Sequence, residues 1–286
     1  MNKRSSYFGR RISLATMHGK ERAISPEVFA ILGAQIVRPS CLDTDILGTF
    51  TGEIERVGTM GDVAIAKARL GMQQTGIKLG LASEGTYGPH PYIPFMTGGC
   101  ELMVFVDDER NLVIFESLID DNPCFENLAT DDFNEVRQFL KKIDFPDQAV
   151  IVSSSRQSTQ RVFFKGLKSV KDVEKAFKEV RSIAENENVV VQTDMRAHLN
   201  ARRMHKIGEL ARKICKRIAC CCPKCQSPGF GRPGPVKPLP CSWCGESTAM
   251  ASGRFFECVS CDFSEFRSRE DGLKTADPLH CSNCNP

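Results

Sequence analysis

Four Cys-x-x-Cys pairs near the end of the chain restrict its folding more than any other feature. They are Cys222/Cys225, Cys241/Cys244, Cys258/Cys261 and Cys281/Cys284, separated by gaps of 15, 13 and 19 residues. Eight thiolates presented as knuckles satisfy two tetrahedral Cys₄ zinc sites, so all eight are assigned as zinc ligands. Sequential, interleaved and nested pairings all fit the gaps, and sequential pairing is the working expectation. With no spare ligand position the sites read as closed and structural, each zinc adding about 10–16 kcal/mol toward folding. The connecting stretch Gln226–Pro240 is rich in Pro and Gly, which excludes helix and central strand. Without metal, this tail could not bury enough apolar surface to fold. Clustered Cys pairs in a chain whose basic N-terminus lacks an apolar h-region read as metal ligands, not disulfides, and place the protein in the cytoplasm.

The remainder carries enough apolar sequence for a core of its own. Hydrophobic residues make up 41% and charged residues 26%, and no window approaches the ~18 apolar residues of a membrane span, so no membrane partner is expected. Net charge is +3, unevenly spread. Residues 1–200 hold 24 Lys/Arg and 27 Asp/Glu, residues 201–286 hold 14 and 8, and residues 218–286 hold 7 and 7. Two Cys₄ zinc sites would make that last segment net negative, which disfavours nucleic acid as a partner. A protein partner docking on the zinc tail fits better.

Periodicity predicts an α/β fold: a mixed sheet flanked by helices, followed by a small zinc-ribbon-type domain with two zinc sites. The expected division is 1–218 and 219–286, with the last helix at about 200–218. Arg11–Thr16 alternates as a strand. Ser25 and Pro26 read as the cap and first residue of a helix closed by Gly33, and 35–38 is a short strand, giving a βαβ start. Asp62 reads as the cap of a helix that Gly76 stops. Ile77–Ala82 is a buried strand that opens into a polar loop, Ser83–Pro91. Glu101–Val106 and Leu112–Leu118 form a hairpin. Thr130, Ser169 and Asn200 read as caps of three amphipathic helices. Further strands are expected at 148–152, 161–164 and 188–192.

Polar segments recur after these strands. Met17–Glu21, Ser83–His90 and Thr193–His198, with the acidic loop 43–56, bring carboxylates, imidazoles and cations to strand ends, where ligands bind in open α/β sheets. Carboxylates together with Lys and Arg are the chemistry of a Mg²⁺–phosphate site. In this reading Glu84 and Glu53 hold the metal, with Asp43 and Asp45 as further Mg²⁺ ligands. Lys20, Lys67 and Arg196 bind phosphate, Asp194 and His198 contact substrate, and His18 or His90 orients or deprotonates water.

The segments Ala15–Glu21, Asp43–Asp45 with Gly48–Glu53, Leu81–Pro91 and Gln192–Asn200, together with the Cys tail, resemble an uncharacterised bacterial family. That resemblance spans nearly the whole chain and implies no particular activity. More remotely, the N-terminal part is similar to the inosine-triphosphate pyrophosphatase/Maf-like superfamily. The matching positions are Ala15-Thr16 with Lys20, Thr49-Phe50, Lys67-Ala68, and Glu84-Gly85 after a strand. His18 stands where that superfamily has Asn, and Lys20 comes one residue early. The resemblance implies a Mg²⁺-dependent hydrolase of a nucleotide or other small phosphorylated molecule, pyrophosphatase-like in reaction. The competing expectation is a non-catalytic zinc-ribbon protein that binds protein or RNA.

Overall fold

A computed structural model describes residues 5–40, 42, 58–155, 162–183 and 188–286. β1 (Arg11–Ala15) leads into α1 (Glu21–Leu32), and β2 (Gln35–Val37) returns parallel to β1, as expected. α1 starts four residues before the expected Ser25 cap and carries Pro26 inside it. Packing explains the difference: Ile24, Val28 and Leu32 recur at i, i+4 and i+8 and all are buried, so Ile24 holds the turn before Pro26 in the helix.

α2 (Met60–Thr75) is capped by Thr59, not by Asp62. Asp62 is the third helical residue and completes a capping box, accepting from Thr59 N at 3.1 Å. Gly76 ends the helix at φ 67°, a left-handed value that glycine adopts without strain.

α2 feeds β3 (Leu79–Pro89), which lies parallel to β1 and is followed by antiparallel β4 (Thr97–Asp107) and β5 (Leu112–Asp120). The sheet order is β2-β1-β3-β4-β5. The expected loop from Ser83 is instead strand: pairing with β4 runs without a break from Leu79↔Asp107 to Pro89↔Thr97. A partner strand of equal length satisfies the backbone groups that a loop would leave to water.

Strand alternation splits the core into two faces. Ala15, Ala82, Val104 and Val106 meet Ala64, Ala68 and Met72 of α2. Ile12, Leu14, Leu81, Met103 and Phe105 meet α1 and α5 (Ala201–Ala219) through Ile24, Val28, Ile207, Leu210 and Ile214. Each fully buried large side chain contributes about 1.5–3 kcal/mol. Asn200 caps α5 as expected, accepting from Arg203 N at 2.9 Å.

A second sheet, not separated from the first by sequence reading, is antiparallel. It orders β6 (Asn127–Thr130), β9 (Val189–Thr193), β7 (Val150–Ser153) and β8 (Phe163–Leu167). Its four- and five-residue strands are too short to match the nine to eleven residues of β3–β5. α3 (Phe133–Lys142) and α4 (Val170–Ile183) bury Val136, Leu140, Val173, Phe177 and Val180 in its separate core. Asp132, not Thr130, caps α3, because Thr130 belongs to β6 and the Asp132 carboxylate accepts from Asn134 N at 2.8 Å. Ser169 Oγ accepts from Asp172 N at 3.1 Å, as its expected capping role requires. Ala149 N donates to Leu199 O at 3.0 Å, tying this sheet to the start of α5.

The tail forms a third sheet, β10 (Arg232–Pro240), β11 (Ser247–Glu257) and β12 (Ser264–Ser268), in that order. The Pro-rich β10 lies at an edge, where missing N–H donors cost least. Among the described residues no helix is long and apolar enough to cross a membrane.

Candidate functional site

β1 ends at Ala15, opposite Ala82 of β3. From Ser83 onward β3 pairs only with β4, so one edge is open just beyond the carboxyl end of the parallel pair. Lys20, the residue before α1, reaches that edge: its Nζ donates to Ser83 O at 2.9 Å and to Ser83 Oγ at 3.0 Å.

Alternation then sends Ser83, Gly85 and Tyr87 toward α1 and α5, and Glu84 toward α2. Lys67 of α2 meets Glu84 Oε1 at 2.5 Å. On the opposite face Arg203, in the first turn of α5, meets Glu101 Oε1 at 2.6 Å and donates to Met195 O. Its guanidinium lies 5.6 Å from the centre of the Tyr87 ring, and Tyr87 donates its hydroxyl to Glu101. A Cβ at position 85 would fall 2.6 Å from Glu101 Oε1 and 2.8 Å from Arg203 Nη2, so glycine there lets helix and sheet close on this pair.

Lys20, Lys67, Glu84, Glu101 and Arg203 are only 8%, 8%, 4%, 1% and 2% exposed. Five charges gathered out of water are costly unless paired. Burial, then repulsion from Arg203, brings Lys20 down to about 8. Burial, then Lys20 and His198, brings His18 down to about 4, so its imidazole is neutral at pH 7. His18 and His198 stack with ring centres 5.2 Å apart. Burial, then Arg196, also lowers His198.

The other candidates are placed differently. Asp194, fully buried at the end of β9, is gripped by Arg196 Nη2 at 2.6 Å and by Gly166 N at 3.1 Å. This unit anchors the 3-10 turn (Ala197–Leu199) that carries His198. His90 is not brought to the cluster. It lies past the end of β3, six residues or about 20 Å of extended chain from Glu84. There Nε2 pairs with Asp121 Oδ1 at 2.9 Å, and Nδ1 accepts from Tyr92 N and Ile93 N, pinning the tip of the β3–β4 hairpin. Glu53, Asp43 and Asp45 lie outside the described residues.

Three members of the cluster escape sequence reading: Glu101, Tyr87 and Arg203. The signal for Arg203 was present, since it extends the buried stripe Ile207, Ala211, Ile214 and Ile218 by one turn. Glu101 heads the apolar run of β4, a position from which a carboxylate must either face water or find a buried partner.

The cysteines pair in the interleaved way, not sequentially. Cys222, Cys225, Cys258 and Cys261 form one group, and Cys241, Cys244, Cys281 and Cys284 the other. The hairpin of β10 and β11 is the reason: it carries the second knuckle away from the first, while Cys258, one residue past β11, folds back onto Cys222. Sulfur separations are 3.8 Å and 3.6 Å in each group. A tetrahedron of ~2.3 Å metal–sulfur bonds places its sulfurs about 3.8 Å apart, so each group fits a metal ion of that kind. Hydrogen bonds from the Ser227 side chain and backbone bring the Cys225 thiol down to about 6. The first group packs against the large sheet, where Val259 joins the α1–α5 core and Arg217 donates to Gly229 O at 3.2 Å and to Phe115 O at 2.7 Å. The second exposes Trp243, at 78%.

No curated protein matches this chain. The family described as a domain of unknown function (DUF6671) matches residues 67–286, a span that begins at Lys67 and takes in Glu84, Glu101, Arg203 and all eight paired cysteines. With well over half its length matched, the chain belongs to that family.

Proposed function

We propose that this protein is a Mg²⁺-dependent hydrolase of a nucleotide or other small phosphorylated molecule, built on a scaffold that two structural zinc ions complete. One observation carries the reading: Lys20, Lys67 and Glu84, from three separate elements, converge in a buried cluster beside the carboxyl end of the β1–β3 parallel pair. Glu84 supplies a hard oxygen donor for the metal, with Glu53 as its expected companion. The bound cation would supply Lewis acidity at a phosphoryl oxygen. Lys20 and Lys67 neutralise phosphate charge, Arg196 adds a cation at the rim, and the His198 imidazole offers a hydrogen bond there. His18, held neutral, can accept a proton from attacking water. A mostly dehydrated cluster strengthens each of these interactions. The short sequence motifs around Lys20, Lys67 and Glu84 that resemble the inosine-triphosphate pyrophosphatase/Maf-like superfamily prompt the same reading.

We assign zinc to both cysteine groups because all-thiolate tetrahedra with 3.6–3.8 Å sulfur spacing suit that ion. Thiol-rich sites fit a reducing, cytoplasmic compartment. The direct test is turnover: zinc-loaded full-length protein with Mg²⁺ and a panel of canonical and damaged nucleoside triphosphates, with pyrophosphate and phosphate release followed separately. A second reading, a non-catalytic protein that docks a protein partner on its zinc tail, is favoured by the exposed Trp243. Silence across the panel with a folded, zinc-loaded protein would select it.

A further inference from the structure

We propose that Ser83 and Lys20 form a nucleophile–base dyad: Ser83 Oγ attacks the phosphorus of a phosphoryl or nucleotidyl group, and Lys20 Nζ takes the Ser83 proton. The substrate class rests on the function proposed above, whereas the dyad rests on the geometry of the cluster. Its atoms are 3.0 Å apart, the separation proton transfer requires. Ser83 sits in a regular stretch of β3 paired with Met103, so its backbone is fixed, and Lys20 is fixed at the start of α1.

Charge balance sets the state of the base. Lys67 with Glu84, and Arg203 with Glu101, are two ion pairs on opposite faces of the sheet. Lys20 is the odd member, and its direct partners are the two uncharged oxygens of Ser83. The charged groups acting on it are Arg203 from α5, Glu101 from β4, Glu84 from β3 and Lys67 from α2, with His18 in its own turn. Among the described residues these pairs balance in charge, so an ammonium at Lys20 would be a buried cation beyond them. Its depression to about 8 expresses that cost. The neutral amine offers a lone pair to the Ser83 hydroxyl, as in serine–lysine hydrolases. α1 begins at the next residue, and its N-terminal dipole favours the negative charge that grows on phosphoryl oxygens.

The chemistry balances. In the first step the Oγ–P bond forms and the bond from phosphorus to the leaving oxygen breaks. The electron pair departs with the leaving group, and the hydroxyl proton moves to Nζ. The new ammonium then faces the phosphoryl oxygens and replaces the surplus cation by a pair. In the second step a water oxygen bonds to phosphorus, Oγ leaves with the proton returned by Lys20, and the surplus water proton goes to solvent.

The test treats full-length, zinc-loaded protein with a fluorophosphonate, whose P–F bond breaks with loss of fluoride, and maps the adduct by mass spectrometry. An adduct on Ser83 is expected, with a labelling rate that rises about tenfold from pH 7 to pH 9 as Lys20 loses its proton. Labelling should disappear in Ser83→Ala and in Lys20→Met. Lys20→Arg, which keeps a cation but offers no base at these pH values, should abolish it as well, and thermal melts check that each variant is folded. No adduct on Ser83 of the folded protein at any pH, or an undiminished rate in both Lys20 variants, would overturn the dyad. Turnover of a phosphorylated substrate without Ser83 labelling discards the dyad and leaves the proposed function standing. Labelling without any phosphate turnover keeps the dyad and removes its substrate class.

Discussion

Arg203→Met should be among the most damaging single changes in the chain, because it strands a buried carboxylate. Arg203 is 2% exposed and Glu101 1% exposed, and the guanidinium binds Glu101 Oε1 at 2.6 Å as well as Met195 O. Methionine keeps an unbranched apolar stem but not the guanidinium, leaving Glu101 with Tyr87 as its remaining described partner and Met195 O without its donor. Removing one member of a buried ion pair costs about 3–5 kcal/mol. At roughly 2–4 °C per kcal/mol for a chain of this size, the melting temperature should fall by about 10 °C. Urea denaturation followed by far-UV circular dichroism measures the loss. The double variant Arg203→Met/Glu101→Gln should recover at least half of it, since no unpaired charge then remains in the interior. A single-variant loss below about 1 kcal/mol, or a double variant no more stable than the single, would refute the claim that this pair pins α5 to the sheet.

Three further outcomes follow. Gly85→Ala places a Cβ 2.6 Å from Glu101 Oε1 and should cost about 1–3 kcal/mol in the same urea assay, because both neighbours are held by their ion pair. Interleaved cysteine pairing predicts that Cys225→Ser/Cys258→Ser, which damages one group, retains one zinc per chain, whereas Cys225→Ser/Cys244→Ser retains none; elemental analysis reads the difference, and sequential pairing would reverse it. His18 titrates near 4 when folded against about 6.5 when unfolded, so the unfolded chain binds the extra proton and stability falls as pH drops through that window. His18→Gln should flatten that part of the pH–stability curve, and an imidazole that titrates above pH 6 by NMR would contradict the placement.

Local signals carried much of the architecture. Gly76, Ser169 and Asn200 mark helix ends through backbone geometry or side-chain hydrogen bonds that a single residue supplies, and each is found in that place. The eight cysteines announce metal sites because thiolate knuckles have few other uses, yet their pairing depends on how the β10–β11 hairpin carries Cys241 and Cys244 away from Cys222. Ser83–Pro89 read as a loop because Gly and Pro weigh against strand locally, while an eleven-residue partner in β4 decides otherwise. Lys20 and Glu84 were legible as candidates from strand-end placement, and Lys67 from its place on the helix that feeds the central strand. Their partition between the two faces, and the role of Glu101 and Arg203 across 102 residues of chain, arise only from tertiary packing.

The central claim, that the buried cluster at the end of β1 and β3 is a phosphohydrolase site, is tested most directly by Glu84→Gln. The side chain keeps its size and an acceptor oxygen, but Lys67 loses its buried charged partner, so Glu84→Gln should melt below the wild-type protein while remaining folded. Mg²⁺-dependent release of pyrophosphate or phosphate is followed for both proteins beside their melting curves. The account predicts turnover of at least one nucleotide by the wild-type protein and its loss by at least a hundredfold in Glu84→Gln, roughly 3 kcal/mol of transition-state stabilisation, with both proteins folded. Wild-type turnover that Glu84→Gln leaves intact would contradict it.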